Sequence, residues 1–175
     1  PTADWNLGME LRGKKVMVLG LARTGSETAR FLVRRGADVL VSDCKSEAEL
    51  RREKEFLSGS PIRFFLGGEE AAWLEGVDLL IASPGVPAEN PLLQGARKRG
   101  IEVVSEIELA CRFLRAPLVA ITGTNGKSTT TTLIGEMLKA NGLKTFVGGN
   151  IGAPLIGFVA EDWDWGVVEV SSFQL

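Results

Sequence analysis

Leu118-Val-Ala-Ile-Thr-Gly-Thr-Asn-Gly-Lys-Ser-Thr129 gathers residue types that together handle phosphate. An apolar run ends in a glycine-rich turn, and a lysine and two hydroxyl residues follow at once. Backbone N–H groups at a helix start bind phosphate oxygens, a lysine reaches the terminal phosphates, and the hydroxyl after it ligates magnesium. Gly123, Thr124, Asn125, Gly126, Lys127, Ser128 and Thr129 are therefore the candidate nucleotide-binding residues. The spacing departs from the common nucleotide loop, whose glycines stand further apart; here only Thr124 and Asn125 separate Gly123 from Gly126. A tight strand-to-helix turn with an incidental lysine is the competing explanation. The intact Gly-Lys-Ser-Thr string argues against it.

A second turn of this kind is Val18-Leu-Gly-Leu-Ala-Arg-Thr-Gly25, again between an apolar run and a helical segment. It lacks the middle glycine of a dinucleotide fingerprint, because Ala22 stands there. Asp43 closes the next apolar run, 23 residues after Gly20, where a dinucleotide fold places a ribose-binding acid. A strand-end aspartate also caps helices, so spacing alone leaves its role open. Ser83-Pro-Gly-Val-Pro87 and Gly148-Gly-Asn-Ile-Gly152 are two further turns at the ends of apolar runs, the edge at which open α/β sheets bind ligands. Either is also a plausible simple connector. Glu169 interrupts the run Val167-Val-Glu-Val170. A carboxylate in such a run needs a partner, and a metal is a good one; the alternative is an edge-strand glutamate facing solvent.

The composition removes other chemistries. The 175 residues contain no histidine, which excludes Ser-His-Asp and Cys-His catalysis, a histidine proton shuttle and most zinc sites within this chain. Cys44 and Cys111 are too few for a zinc cluster and argue against a disulfide framework, as suits a reducing cytosol. Twenty basic against 22 acidic side chains give a net charge of −2, so no general field attracts nucleic acid or an anionic membrane. No apolar run approaches the roughly 20 residues of a membrane span, and no basic-then-apolar leader opens the chain. We therefore expect a cytoplasmic protein with no nucleic-acid partner and no membrane insertion.

These turns are positioned by alternating short apolar runs and helical segments. The runs are Val16–Leu19, Val39–Val41, Phe64–Leu66, Leu79–Ala82, Val103–Val104, Leu118–Ile121, Phe146–Val147 and Gly166–Val170. Such alternation predicts βαβ units around parallel sheets. The fold class is α/β: a Rossmann-like parallel-sheet domain followed by the start of a P-loop-type α/β domain. Ser105 and Glu108 make a capping box, and Ile107, Ala110, Cys111 and Leu114 form a helical stripe that places Cys111 in the core. A second helix follows Lys127, with Leu133, Ile134, Met137 and Leu138 on one side. The boundary is expected at Arg115-Ala116-Pro117, where a helix must stop before proline and a new buried strand begins. This gives domains at 1–116 and 117–175, with 1–13 as an N-terminal extension. The second piece leaves a sheet edge uncovered, so we expect a truncated chain.

The phosphate loop, Gly-Gly-Asn-Ile-Gly152 and Glu169-Val-Ser-Ser-Phe-Gln-Leu175 together resemble the Mur ligase family, ATP-dependent amide-bond synthetases of peptidoglycan assembly. The last segment is most similar to the members that add D-glutamate; Gly20–Gly25, Asp43 and Ser83–Pro87 fit as well. The resemblance implies that ATP phosphorylates the carboxylate of UDP-N-acetylmuramoyl-L-alanine and that the amine of D-glutamate then displaces phosphate. It implies that Gly123 to Thr129 hold ATP, that Lys127 neutralises the γ-phosphoryl, and that Ser128 and Glu169 hold Mg2+. Asn150 and Ser171 would meet the substrate carboxylate, with Lys127 completing the catalytic set. Leu21, Ala22, Arg23, Thr24, Asp43, Cys44, Ser83, Pro84 and Gly85 would bind the uridine diphosphate end. Cys44 and Lys45 stand where the family places a hydroxyl residue and then a basic one. The family's second magnesium site, a histidine and a carbamoylated lysine, and its amino-acid-binding third domain are expected beyond Leu175. The chain alone is thus expected to be inactive, and the full-length protein monomeric. The alternatives are a dinucleotide-dependent oxidoreductase, resting on Gly20–Gly25 and Asp43, and a non-catalytic nucleotide-binding module.

Overall fold

The computed structural model describes residues 9–171. The chain packs as two compact units, one of residues 9–109 and one beginning at Ala110. The division falls inside a short helix, α4 (Glu106–Cys111), a few residues before the break expected at Pro117.

The first unit is built on β1 (Lys15–Leu19), β2 (Asp38–Asp43), β3 (Ile62–Leu66), β4 (Leu79–Ala82) and β5 (Glu102–Ser105), all parallel, in the order β3-β2-β1-β4-β5. Parallel strands covered on both faces read as continuous apolar runs; Val16 to Leu19 and Leu79 to Ile81 are accordingly buried. The connections are α1 (Arg23–Arg34), α2 (Arg51–Phe56) and α3 (Pro91–Lys98). The start of α3 is set locally. Asn90 accepts from Leu92 N–H and Leu93 N–H, and Pro91 needs no partner at the first helical position. Met17, Leu19, Leu40, Leu80, Leu92 and Leu93 form the core on one side of the sheet. The strand order reverses at β1, with β2 on one side and β4 on the other; in open α/β sheets the C-terminal edge at such a switch point is where a ligand crevice forms.

The second unit has β6 (Leu118–Ile121), α5 (Lys127–Ala140), β7 (Thr145–Gly149) and β8 (Trp165–Glu169), with parallel strand order β6-β8-β7. The last strand in sequence is thus the middle one in space. It brings Glu169 level with Ile121 on one side and Gly149 on the other. Phe146, Phe158 and Trp163 pack as a ring cluster at this sheet, and Trp163 Nε1 donates to the Phe158 carbonyl at 3.0 Å.

Three expectations are corrected, and the apolar side of α5 is only partly covered. Cys111 is exposed, not core, because α4 stops there and the helical stripe does not continue as a helix. Leu11 is buried and Gly13 N–H donates to the Gly36 carbonyl, so this part of the supposed N-terminal extension belongs to the first unit. β6 is half-buried instead of buried, with Ala120 exposed, because it is an edge strand among the described residues. On α5, Leu133 and Met137 are each 58% exposed, while Ile134 and Leu138 are half-buried.

Candidate functional site

In the first unit the turn after β1 is held by its neighbours on both sides. Gly20, at a φ of +93° that favours glycine, donates its N–H to the Ser42 carbonyl at 2.8 Å. Its own carbonyl accepts from Ser83 Oγ at 3.0 Å. The next N–H, that of Leu21, donates to Asp43 Oδ2 at 2.7 Å. Asp43 Oδ1 accepts from Lys45 N–H at 2.9 Å. Gly25 lies against this turn: a Cβ there would come within 1.9 Å of the Gly20 carbonyl oxygen. Helix α1 therefore starts closer to the sheet than any side chain permits. Its N-cap, Ala22, offers no capping side chain, so first-turn N–H groups point outward without a side-chain acceptor, as anion-binding helix starts do.

Leu21, Asp43 and Ser83 are thus brought together at the C-terminal edge of the sheet. Ala22 and Arg23 are exposed beside them and Thr24 is half-buried. Pro84 and Gly85 form the exposed part of the turn after β4, and Cys44 is exposed directly after Asp43. Arg23 also lines a cleft of about 250 Å³ with Arg52 and Phe56. A larger cleft of about 550 Å³ at α2 and β3, with Arg51, Lys54 and Phe64 on its walls, contains none of the expected residues. Its charges are occupied in Arg51–Glu55 and Lys54–Glu47 pairs.

In the second unit Gly123 and Gly126 take φ of +145° and +78°, and Gly126 is the N-cap of α5. These left-handed positions let the chain turn sharply from β6 into the helix and leave Thr124 and Asn125 exposed. Lys127 Nζ donates to the Gly123 carbonyl at 2.7 Å, folding the side chain back over its own loop. Thr131, fully buried, donates from Oγ1 to the Lys127 carbonyl at 2.8 Å and secures the first turn. Ser128 Oγ donates to Glu169 Oε2 at 2.6 Å. Glu169, on the middle strand, is only 6% exposed, so it does not face solvent from an edge. Asn150 N–H donates to the Glu169 carbonyl at 2.9 Å, and Gly149 leaves no room for a Cβ, which would lie 2.3 Å from that oxygen. Phosphate loop, Glu169 and Asn150 therefore meet at one edge of this sheet. Thr129 is exposed, and Ser171 is half-buried two residues past Glu169.

Sequence reading passed over the hydrogen-bonding partners of the Gly20 turn and the Thr131 anchor. The signal for Thr131 was present, since a hydroxyl four residues after a helical residue can reach its carbonyl.

The fit of a divalent cation rests on the Ser128–Glu169 pair. A buried carboxylate and a hydroxyl beside a phosphate loop are hard oxygen donors. Magnesium needs only one or two protein carboxylates when phosphates and waters supply the rest. Among the described residues no group of three acidic, cysteine or histidine side chains converges, so the pair is compatible with magnesium held jointly with a phosphate.

The strand order and these two glycine turns are those of α/β proteins that bind nucleotide phosphates. Residues 14–105 match the Mur ligase MurD-like N-terminal domain, and residues 121–175 match the Mur ligase middle domain. The chain belongs to the Mur ligase family. It is 55% identical over 169 residues to a UDP-N-acetylmuramoylalanine--D-glutamate ligase of Trichlorobacter lovleyi, covering 95% of this chain and 38% of that protein. It is 56% identical to the same-named protein of Geotalea uraniireducens, covering 95% and 37%. The chain thus spans well under half the length of these relatives. A pseudomurein peptide ligase type C of Methanothermus fervidus superposes with a TM-score of 0.52 at 28% identity, covering 93% of this chain and 34% of that one. A UDP-N-acetylmuramate:L-alanyl-gamma-D-glutamyl-meso-diaminopimelate ligase of Neisseria meningitides shares the fold at 19% identity and a TM-score of 0.54, covering 92% and 55%. Family membership disfavours the oxidoreductase alternative, which also leaves the phosphate loop of the second unit without a use. No helix among the described residues is long and apolar enough to cross a membrane.

Proposed function

We propose that this chain supplies the UDP-sugar-binding domain, 1–116, and the first part of the ATP-binding domain, 117–175, of a ligase. That ligase joins D-glutamate to UDP-N-acetylmuramoyl-L-alanine in cytoplasmic peptidoglycan precursor synthesis. The observation that carries this reading is the 55% identity to a ligase of that name across 95% of the chain. The substrates are UDP-N-acetylmuramoyl-L-alanine, D-glutamate and ATP, and the full-length protein is a monomer.

In the first unit the diphosphate lies against the N–H groups of Ala22 to Thr24 at the uncapped start of α1, while the Leu21 N–H stays on Asp43, with Arg23 supplying positive charge. The uridine contacts Asp43, Cys44 and the Ser83–Gly85 turn. In the second unit Gly123 to Thr129 wrap the ATP phosphates, and Ser128 with Glu169 would hold Mg2+. When bound, the metal neutralises negative charge on the phosphates. Phosphoryl transfer asks mainly for positioning and charge stabilisation. Lys127 therefore leaves the Gly123 carbonyl and places its ammonium on the γ-phosphoryl. Asn150 and Ser171 orient the substrate carboxylate that becomes the acyl phosphate. The D-glutamate amine then attacks the acyl carbon, and phosphate leaves.

The test is phosphate release by the full-length protein with ATP, magnesium, the UDP-sugar and D-glutamate. Release should require all of them. Equal release without the UDP-sugar, or with a different amino acid preferred to D-glutamate, would overturn the assignment.

A further inference from the structure

The turn after β1 makes two side-chain contacts, one to each neighbouring strand. On the β2 side, Asp43 accepts from Leu21 N–H at 2.7 Å with one carboxylate oxygen and from Lys45 N–H at 2.9 Å with the other. On the β4 side, Ser83, only 8% exposed, donates to the Gly20 carbonyl at 3.0 Å. Asp43 is braced by its own loop through Lys45, and both side chains reach from the end of a strand to backbone of the turn after β1, so the three loops are tied into one assembly. A carboxylate with a backbone N–H on each oxygen is oriented and half-satisfied before any ligand arrives. The Ser83 proton is likewise committed to Gly20, which leaves this hydroxyl an acceptor toward anything in the crevice.

From this geometry we infer that Asp43 and Ser83 are positioning residues for the diphosphate, acting through the Gly20–Leu21 turn as well as on any group they touch directly. Asp43 bears a negative charge and cannot itself attract a diphosphate. It aims the Leu21 peptide, and with it the backbone leading into the uncapped start of α1. Ser83 fixes the preceding peptide from the other side. This rests on the reading that the diphosphate lies at that turn. It adds that the cradle exists before binding and that its shape depends on two side chains from outside the loop. Rigid pre-formation of a site raises affinity by removing the ordering cost from the binding step.

Two readouts test it in the full-length protein. The first needs no ligand: amide hydrogen exchange at Leu21 and Lys45. Asp43→Asn keeps one acceptor but sets an amide N–H2 against the second donor, so exchange at one of these amides should speed up by about tenfold or more, the scale of a lost charged hydrogen bond. Ser83→Ala should loosen the Gly20–Leu21 turn in the same measurement. The second readout is calorimetric affinity for UMP and for UDP. In the wild type the added phosphate should strengthen binding. In Asp43→Asn and Ser83→Ala that increment should shrink, because the turn no longer presents its N–H groups in place.

A residue that touches only the uridine would lower both affinities by the same factor and leave the two amides unchanged; that pattern overturns the inference. A general loss of stability would also lower both affinities equally, and counts against it. If wild-type protein binds neither UMP nor UDP, the ligand assignment fails, while the exchange data still decide whether the two side chains hold the turn.

Discussion

Ser128 Oγ donates to Glu169 Oε2 at 2.6 Å, although the two residues lie 41 positions apart in the chain. The pairing is a product of topology. Ser128 lies in the first turn of α5, just past the glycine loop that follows β6, and β8 inserts beside β6 so that its final residue ends level with Ile121. A carboxylate buried to this extent is sustained by a hydrogen bond or by a cation. Glu169→Gln keeps the shape and an acceptor for Ser128 but removes the charge. We expect the magnesium concentration that supports half-maximal turnover in the full-length protein to rise by at least about tenfold, the scale of weakened metal sites. An unchanged magnesium dependence would take Glu169 out of the metal site.

Gly25 is the tightest steric point of the first unit, with a hypothetical Cβ 1.9 Å from the Gly20 carbonyl oxygen. Its Ala variant must push α1 off the sheet or displace the turn. Overpacking of this kind costs about 1–3 kcal/mol or more. Gly85 has open space where its Cβ would go, and its Ala variant should be close to neutral. Urea unfolding of the two variants side by side checks the contrast. Equal midpoints would mean that the helix moves without cost.

The strands were legible because burial in parallel sheets leaves continuous apolar runs such as Val16–Leu19 and Leu79–Ile81. The turns were legible because glycine at a left-handed position and an exposed lysine or hydroxyl are features of single residues. What could not be read were properties set by distant partners. Cys111 satisfied the helical period but α4 ends there. Leu133 and Met137 satisfied it too, yet remain 58% exposed, because periodicity says which side of a helix is apolar and nothing about what covers it. Glu169 was an anomaly in an apolar run until the order β6-β8-β7 supplied Ser128. The hold of Ser83 on Gly20 spans 63 positions, and no local pattern encodes it.

Glu49 offers a pH-dependent contact away from the site. Its carboxylate accepts from Ser46 Oγ at 2.7 Å and from Ser46 N–H at 2.9 Å. The Ser46 hydroxyl, then the Ser46 N–H and the Lys45 charge, hold its pKa below the usual glutamate value. A lowered carboxylate pKa stabilises the folded form above the ordinary value, and that contribution fades as pH falls through the lowered one. Glu49 is fully solvated, so the effect is local. An NMR titration should show Glu49 protonating at lower pH than ordinary glutamates, and Ser46→Ala should raise its midpoint. No change on removing the hydroxyl would refute the capping contact.

Lys127 provides the sharpest separation between the two units. Its ammonium sits on the Gly123 carbonyl at 2.7 Å, a contact to its own loop that a phosphate can replace. None of the residues expected to meet the uridine diphosphate lies in this unit; all fall between Leu21 and Gly85. Lys127→Ala in the full-length protein should therefore leave affinity for the UDP-sugar nearly unchanged while turnover collapses. A charge aimed at the transferring phosphoryl contributes several kcal/mol in the transition state, on the scale of about 3–4 kcal/mol for a single well-placed donor, or two to three orders of magnitude in rate. Lys127→Arg restores charge but not the compact point donor, since the planar guanidinium is wider than the space an ammonium needs above a glycine loop. It should recover little. Calorimetric titration with the UDP-sugar and steady-state phosphate release give the two numbers independently. Near-normal turnover in Lys127→Ala would remove the loop from the chemistry, and a parallel loss of UDP-sugar binding would show that the two activities do not divide between the units.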